Sequence, residues 1–222
     1  LFDEGVYGSA SKLFIDLINN KSQWKPQEKL FSDKVHLYHA LCFINMRAED
    51  ADLVLLHFIR DFSPSPYMNL AYLELADYYF DIEEYADAID YYAKVNENEL
   101  AQDQFSALTF KHAYAQFVRQ NFDATKTLLK RILHFKDQYY YPSKYYYGMS
   151  QYFTNDLSGA VESFQAVEET AAYKNRVPYY ISQIYFKEKR YDELITYGNE
   201  VIADDQTEHI KEIRGLLGQT YF

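Results

Sequence analysis

Leu75-Ala76-Asp77-Tyr78-Tyr79, a short break, and then Tyr85-Ala86-Asp87-Ala88-Ile89-Asp90-Tyr91-Tyr92-Ala93-Lys94-Val95 together set the fold. The first stretch places the small residue Ala76 three before the aromatic Tyr79. In the second, Tyr85 is followed three later by Ala88, four further on by Tyr92, and three beyond that by Val95. Offsets of three and four put the marked residues on one face of a helix, so each segment reads as an amphipathic helix. Five residues between them leave room only for a tight turn. The pair is a helical hairpin.

The same spacing recurs along the chain. His112-Ala113 with Gln116 leads to Phe122, Thr125, Leu129 and Ile132. Tyr147-Gly148 with Gln151 leads to Leu157, Ala160, Phe164 and Val167. Ile181-Ser182 with Tyr185 leads to Tyr191, Leu194, Gly198 and Val201. A looser copy runs from Leu37 to Phe43 and from Ala51 to Ile59. Tyr7, Ala10, Phe14 and Leu17 read as the second half of an earlier copy, and Leu217, Gly218 and Tyr221 as the start of a later one. The equivalent residues Ala10, Ala51, Ala88, Thr125, Ala160 and Leu194 lie 41, 37, 37, 35 and 34 residues apart. A fixed period of this size marks a repeat architecture.

The pattern has a physical reason. Two antiparallel helices approach closely only where small side chains meet, here Ala76, Ala88, Gly148 and Ala160. Large side chains then fill the space toward the next hairpin. One hairpin cannot bury its own apolar face, so successive hairpins share a core.

With its unit of about 34 residues and its small-against-large key, the chain resembles the tetratricopeptide repeat family. The resemblance extends over essentially all of 1–222 and is sharpest in the unit that starts near Tyr67. Thr125 and Leu194 depart from it by replacing the usual alanine, and Gly198 by replacing the large aromatic. It implies an all-α solenoid of about six hairpins forming a single domain, with units at 1–20 (partial), 33–62, 67–96, 104–135, 142–168, 176–203 and 207–222 (partial). The opening Leu1 and the closing run Gly215 to Phe222 read as an excision from a longer protein. Phe58-Ile59-Arg60-Asp61-Phe62-Ser63-Pro64-Ser65-Pro66, followed by Ala71 to Ala76, is similar to repeats of bacterial envelope proteins. Outer-membrane assembly lipoproteins and the large repeat proteins of Bacteroidota are the types it resembles. That likeness implies a periplasmic or outer-membrane-associated adaptor, with the cytoplasm as the alternative.

In the family, the first helix of each hairpin lines a concave groove. Its inward positions here include Leu41, Leu73, Phe80 and Tyr114, then Phe117, Tyr145, Tyr152, Tyr179 and Phe186. An aromatic groove of this kind binds a protein or peptide segment by burying apolar side chains, with tyrosine hydroxyls left to form hydrogen bonds. A glycan-binding module with tyrosine platforms is the alternative expectation. Tyrosine is abundant, at 24 residues, and the run Tyr139-Tyr140-Tyr141-Pro142-Ser143-Lys144-Tyr145-Tyr146-Tyr147 concentrates it.

Composition narrows the classes further. Seven glycines and five prolines are too few for the turns of a many-stranded β-fold. A net charge of −11 disfavours nucleic acid and anionic lipid as partners. No apolar run approaches the roughly 20 residues that cross a bilayer. The single cysteine, Cys42, sits in an apolar stretch and reads as a small buried hydrophobe. No phosphate-cradling glycine loop and no nucleophile elbow is present, so no cofactor and no enzyme activity are expected. His36 and His39 share a helix face but lack further ligands at metal spacing. The acid pairs Glu83-Glu84 and Asp204-Asp205 sit where acids cap helices. Lys126, Lys130 and Arg131, and Lys187, Lys189 and Arg190, read as solvated faces and turn ends.

Overall fold

The structure, a computed structural model, describes residues 1–20, 29–203 and 206–221. The acid pair Asp204-Asp205 lies outside the described residues. Among those described there are twelve α-helices and no strand. They are α1 (Tyr7–Asn19), α2 (Lys29–Met46), α3 (Ala51–Asp61), α4 (Met68–Asp81), α5 (Tyr85–Tyr92) and α6 (Gln102–Val118). After them come α7 (Phe122–Lys130), α8 (Tyr140–Phe153), α9 (Leu157–Gln165), α10 (Val177–Lys187), α11 (Tyr191–Val201) and α12 (Ile210–Thr220). The chain divides into two compact units, Leu1–Ala115 and Gln116–Phe222.

Within each unit the helices pack in chain order. In the first, α1 lies on α2, α2 on α3, α3 on α4 and α4 on α5, and α2 also reaches α4. In the second, the order runs from α7 through α8, α9, α10 and α11 to α12, with α10 also on α12. This is an all-α array of consecutive hairpins.

The second helices carry the key read from the sequence. Ala51, Leu55 and Phe58 of α3 are buried, and so are Ala88, Tyr92 and Val95 at and just beyond α5. Thr125, Leu129 and Ile132 repeat the triple at α7, and Ala160, Phe164 and Val167 repeat it at α9. At α11, Leu194 and Gly198 are buried and Val201 is half-buried. A Cβ on Gly198 would come within 2.9 Å of Leu217 Cδ2. Glycine stands where the other second helices carry a large side chain because Leu217 of α12 occupies that volume.

The first helices answer with small residues. Ala76 is fully buried, and a Cβ on Gly148 would sit 3.0 Å from Ser163 Cβ and 3.1 Å from the Phe164 ring. The apolar interior of the first unit gathers on Leu37, Leu55, Leu75, Ala88 and Tyr92, and that of the second on Phe164, Val177, Ile181, Leu194 and Ile213.

Five helix ends close on a residue in the left-handed region, Arg47, Glu83, Gln120, Asn155 and Lys189, and Asp50 adds a second such residue to the turn between α2 and α3. The amide that follows each of these five reaches back five residues, as in Glu84 N–H to Tyr79 O (2.9 Å) and Asp156 N–H to Gln151 O (2.9 Å). These bonds satisfy carbonyls that the helix end would leave open, which is the Schellman closure. None of the five is glycine, so each bears the steric cost of a Cβ in that region. Lys189→Gly is therefore expected to stabilise the second unit by about 1 kcal/mol, read as a higher thermal midpoint. A lower midpoint would contradict it.

In the second unit a residue near the end of the first helix also touches the start of the second across the turn. Gln116 Oε1 accepts from Asn121 Nδ2 (2.8 Å), and Gln151 Nε2 donates to Asp156 Oδ2 (2.8 Å). Gln151 Oε1 then accepts from Ser163 Oγ (2.6 Å), and Asp156 Oδ1 caps α9 through Gly159 N–H (3.2 Å). At the same place in the next hairpin, the Arg190 guanidinium lies 4.4 Å from the Tyr185 ring centre. In α10, Pro178 in the first turn favours helix initiation.

Candidate functional site

In the first unit, Leu41 is buried, while Leu73, Phe80 and Tyr114 are half-buried on the first helices α4 and α6. The Phe80 ring meets Tyr114 edge-on at 5.7 Å and Tyr85 at 5.8 Å. These rings brace one another. Beside them, a cavity of about 330 Å3 opens among Asn45, Glu74, Asp77, Asp81 and Lys111. Its walls are ionic. Asp77 accepts from Tyr92 Oη (2.6 Å) and pairs with Lys111 Nζ (2.9 Å), and Asp81 faces Arg47 at 3.5 Å.

Glu74 lies in this cavity, and its carboxyl titrates above the usual range. Burial is the main cause and the Asp77 charge adds to it, while Lys111 opposes both. A raised folded-state value means that the folded protein favours the neutral acid. Its contribution to stability is present below the unfolded carboxyl pKa and is lost as pH rises through the folded one. Glu74→Gln is accordingly expected to raise the thermal midpoint at pH 7 and to lose that advantage near pH 4. An equal gain at both pH values would count against it.

In the second unit, Tyr145 is buried and stacks on Tyr173 at 4.5 Å. Burial pushes its hydroxyl up to about 12, helped by Tyr180 and opposed by Arg176. Leu41 and Tyr145 were expected on the groove wall; both lie beneath the surface, as support for the residues above them. Phe117, Tyr152, Tyr179 and Phe186 are half-buried. Phe117 sits edge-on to Tyr146 at 5.0 Å and to Phe122 at 5.6 Å.

A hydrogen-bonded ladder ties the first helices α8 and α10 together. Tyr152 Oη donates to Gln183 Oε1 (2.9 Å), and Gln183 Nε2 donates to Tyr179 Oη (2.7 Å). The Tyr179 ring stacks on His209 at 4.4 Å. One turn further along α10, Lys187 Nζ donates to Asn155 Oδ1 (2.7 Å). Gln183 joins two of the expected tyrosines, yet nothing in the sequence singles it out; its place four residues after Tyr179 was the available signal. Lys126, expected as a solvated charge, is half-buried with fixed partners, whereas Lys187 is exposed as expected while bonded to Asn155. Lys126 Nζ lies 2.9 Å from both Asp123 Oδ1 and Thr154 Oγ1.

Elsewhere the tyrosine hydroxyls also find partners inside the chain. Tyr79 Oη donates to Asp52 (3.1 Å) and Tyr197 Oη to Glu168 (2.9 Å). Burial raises the pKa of both phenols, and the neighbouring carboxylates raise them further. Much of the tyrosine content thus holds hairpin to hairpin.

The remaining candidates are occupied locally. His36 Nδ1 lies 2.8 Å from Ser32 O, and the His39 ring lies 5.1 Å from Phe43. Burial lowers the His39 pKa, and His36 adds to the effect. Among the described residues no three His, Cys, Asp or Glu side chains converge as metal ligands. Cys42 is fully buried, and burial raises its thiol to about 11, which leaves it inert as a nucleophile. Glu83 occupies the left-handed turn position, and Glu84 precedes α5. Among the described residues no helix is long and apolar enough to cross a membrane.

Comparison with protein-family models finds no match, and comparison with curated proteins finds none.

Proposed function

We propose that this chain is a tetratricopeptide-like interaction scaffold that holds a segment of a partner protein along the first helices of its hairpins and catalyses no reaction. The observation that carries the reading is the row of half-exposed rings on successive first helices, Tyr152 on α8 and Tyr179 and Phe186 on α10. Rings fixed by the Gln183 ladder lose little freedom on binding, so the contact they offer is pre-organised. The proposal extends to a place in the bacterial cell envelope, which rests on the resemblance of the 58–76 stretch alone.

The test is selection from a displayed peptide library on the immobilised chain. Peptides enriched by the native chain should lose about 100-fold or more in affinity for a Tyr152→Ala, Tyr179→Ala, Phe186→Ala triple variant. That variant should keep its helical circular dichroism, because none of the three rings is fully buried. Selected peptides that bind the folded triple variant as tightly as the native chain would retire the groove.

A further inference from the structure

A second cleft lies in the second unit, at the start of α7 and the end of α8. Its volume is about 450 Å3, and its walls include Gln120, Asn121, Phe122, Asp123 and Thr154. The size is that of a small-molecule site. The chemistry of the wall is unusual for this protein. It presents side-chain amides, one carboxylate and one hydroxyl, and the carboxylate of Asp123 is already paired with Lys126, which also reaches Thr154. Such a surface has no excess charge to offer an ion. It has paired donors and acceptors that suit a neutral ligand rich in hydroxyls.

An aromatic platform borders the same cleft. Phe122 lines it, and Phe153 stacks on Phe122 with ring centres 4.8 Å apart and planes 19° apart. Phe153 is 51% exposed, more than any other phenylalanine among the described residues. Phe117 flanks the pair, at 5.6 Å from Phe122 and 6.2 Å from Phe153, and Tyr152 meets Phe153 edge-on at 5.6 Å. A braced, half-exposed ring stacked on Phe122 of the cleft wall, near side-chain amides, fits a molecule with one apolar face of C–H groups and a polar edge.

We propose that this cleft binds a neutral saccharide, with one sugar ring stacked on Phe153 and its hydroxyls held by Gln120, Asn121 and Asp123. The platform is a phenylalanine and not one of the ladder tyrosines. The residues that line the cleft include none of the tyrosine ladder on α8 and α10, so the proposal does not depend on the scaffold reading.

The test is calorimetric titration of the intact chain with four neutral disaccharides: cellobiose, maltose, lactose and N,N′-diacetylchitobiose. At least one should give a saturable heat. Phe153→Ala and Gln120→Ala should each weaken that binding about tenfold, while Phe153→Trp should keep it. Both positions are exposed, so circular dichroism should show the fold intact. A Tyr179→Ala, Phe186→Ala double variant, which leaves Tyr152 against Phe153, should bind the sugar normally. No saturable heat from any of the four would overturn the proposal, as would unchanged affinity in both single variants. Loss of sugar binding in the double variant would overturn it too, since it would place the ligand on the ladder.

Discussion

Phe164→Ala is expected to destabilise the second unit by about 3–5 kcal/mol. The side chain is fully buried on α9 and stacks on Tyr180 at 5.6 Å, with Tyr145 at 6.3 Å. Across the hairpin it faces Gly148, which has no side chain that could move into the vacated space. The hole would therefore stay open, and a cavity that cannot collapse sits at the costly end of such substitutions. Urea unfolding followed by far-UV circular dichroism should show a lower midpoint for the second unit. A loss below about 1 kcal/mol would mean that the ring is not the filler the hairpin key requires.

Gly148→Leu attacks the same junction from the opposite side, with an expected loss of about 3 kcal/mol. Even a bare Cβ would come within 3.1 Å of the Phe164 ring and 3.0 Å of Ser163 Cβ. Three further carbons could be admitted only if α8 and α9 moved apart. Leucine favours a helix over glycine by roughly 0.8 kcal/mol, so the packing loss must exceed the measured one. Gly215 of α12 supplies the control. A Cβ there meets nothing within 4 Å, so Gly215→Ala should gain up to about 1 kcal/mol. Losses at both glycines would show that close approach is not what sets Gly148 apart.

The fold was legible because the hairpin key is local. Ala88, Tyr92 and Val95 are spaced by the helix period, and burial of all three follows from that period together with the need to share a core. The turns were harder to see. Glycine is the usual marker of a left-handed helix end, and here Arg47, Glu83, Gln120, Asn155 and Lys189 hold those positions. Their spacing could be inferred from the flanking helices, but their conformation could not be inferred from their chemistry.

The candidate site was legible only in part. Helical spacing assigns a residue to a face but does not give its depth on that face. Tyr145 and Tyr152 lie two turns apart on α8, yet Tyr173 covers the first while the second remains half-exposed beside Gln183. The covering residue comes from the segment after α9, where no periodicity announces it. The same limit hid the ionic cavity of the first unit. Asp77 and Lys111 are 34 residues apart in sequence and are joined by one ion pair across α4 and α6. Charge at one helix position says nothing of its partner on the next.

Amide hydrogen exchange of the chain with and without a selected peptide tests the scaffold reading most directly. The prediction is slowed exchange in α8 and α10, the helices that carry Tyr152, Tyr179 and Phe186, with α9 and α11 unchanged. Protection confined to α9 and α11 would place the partner on the second helices and contradict the account.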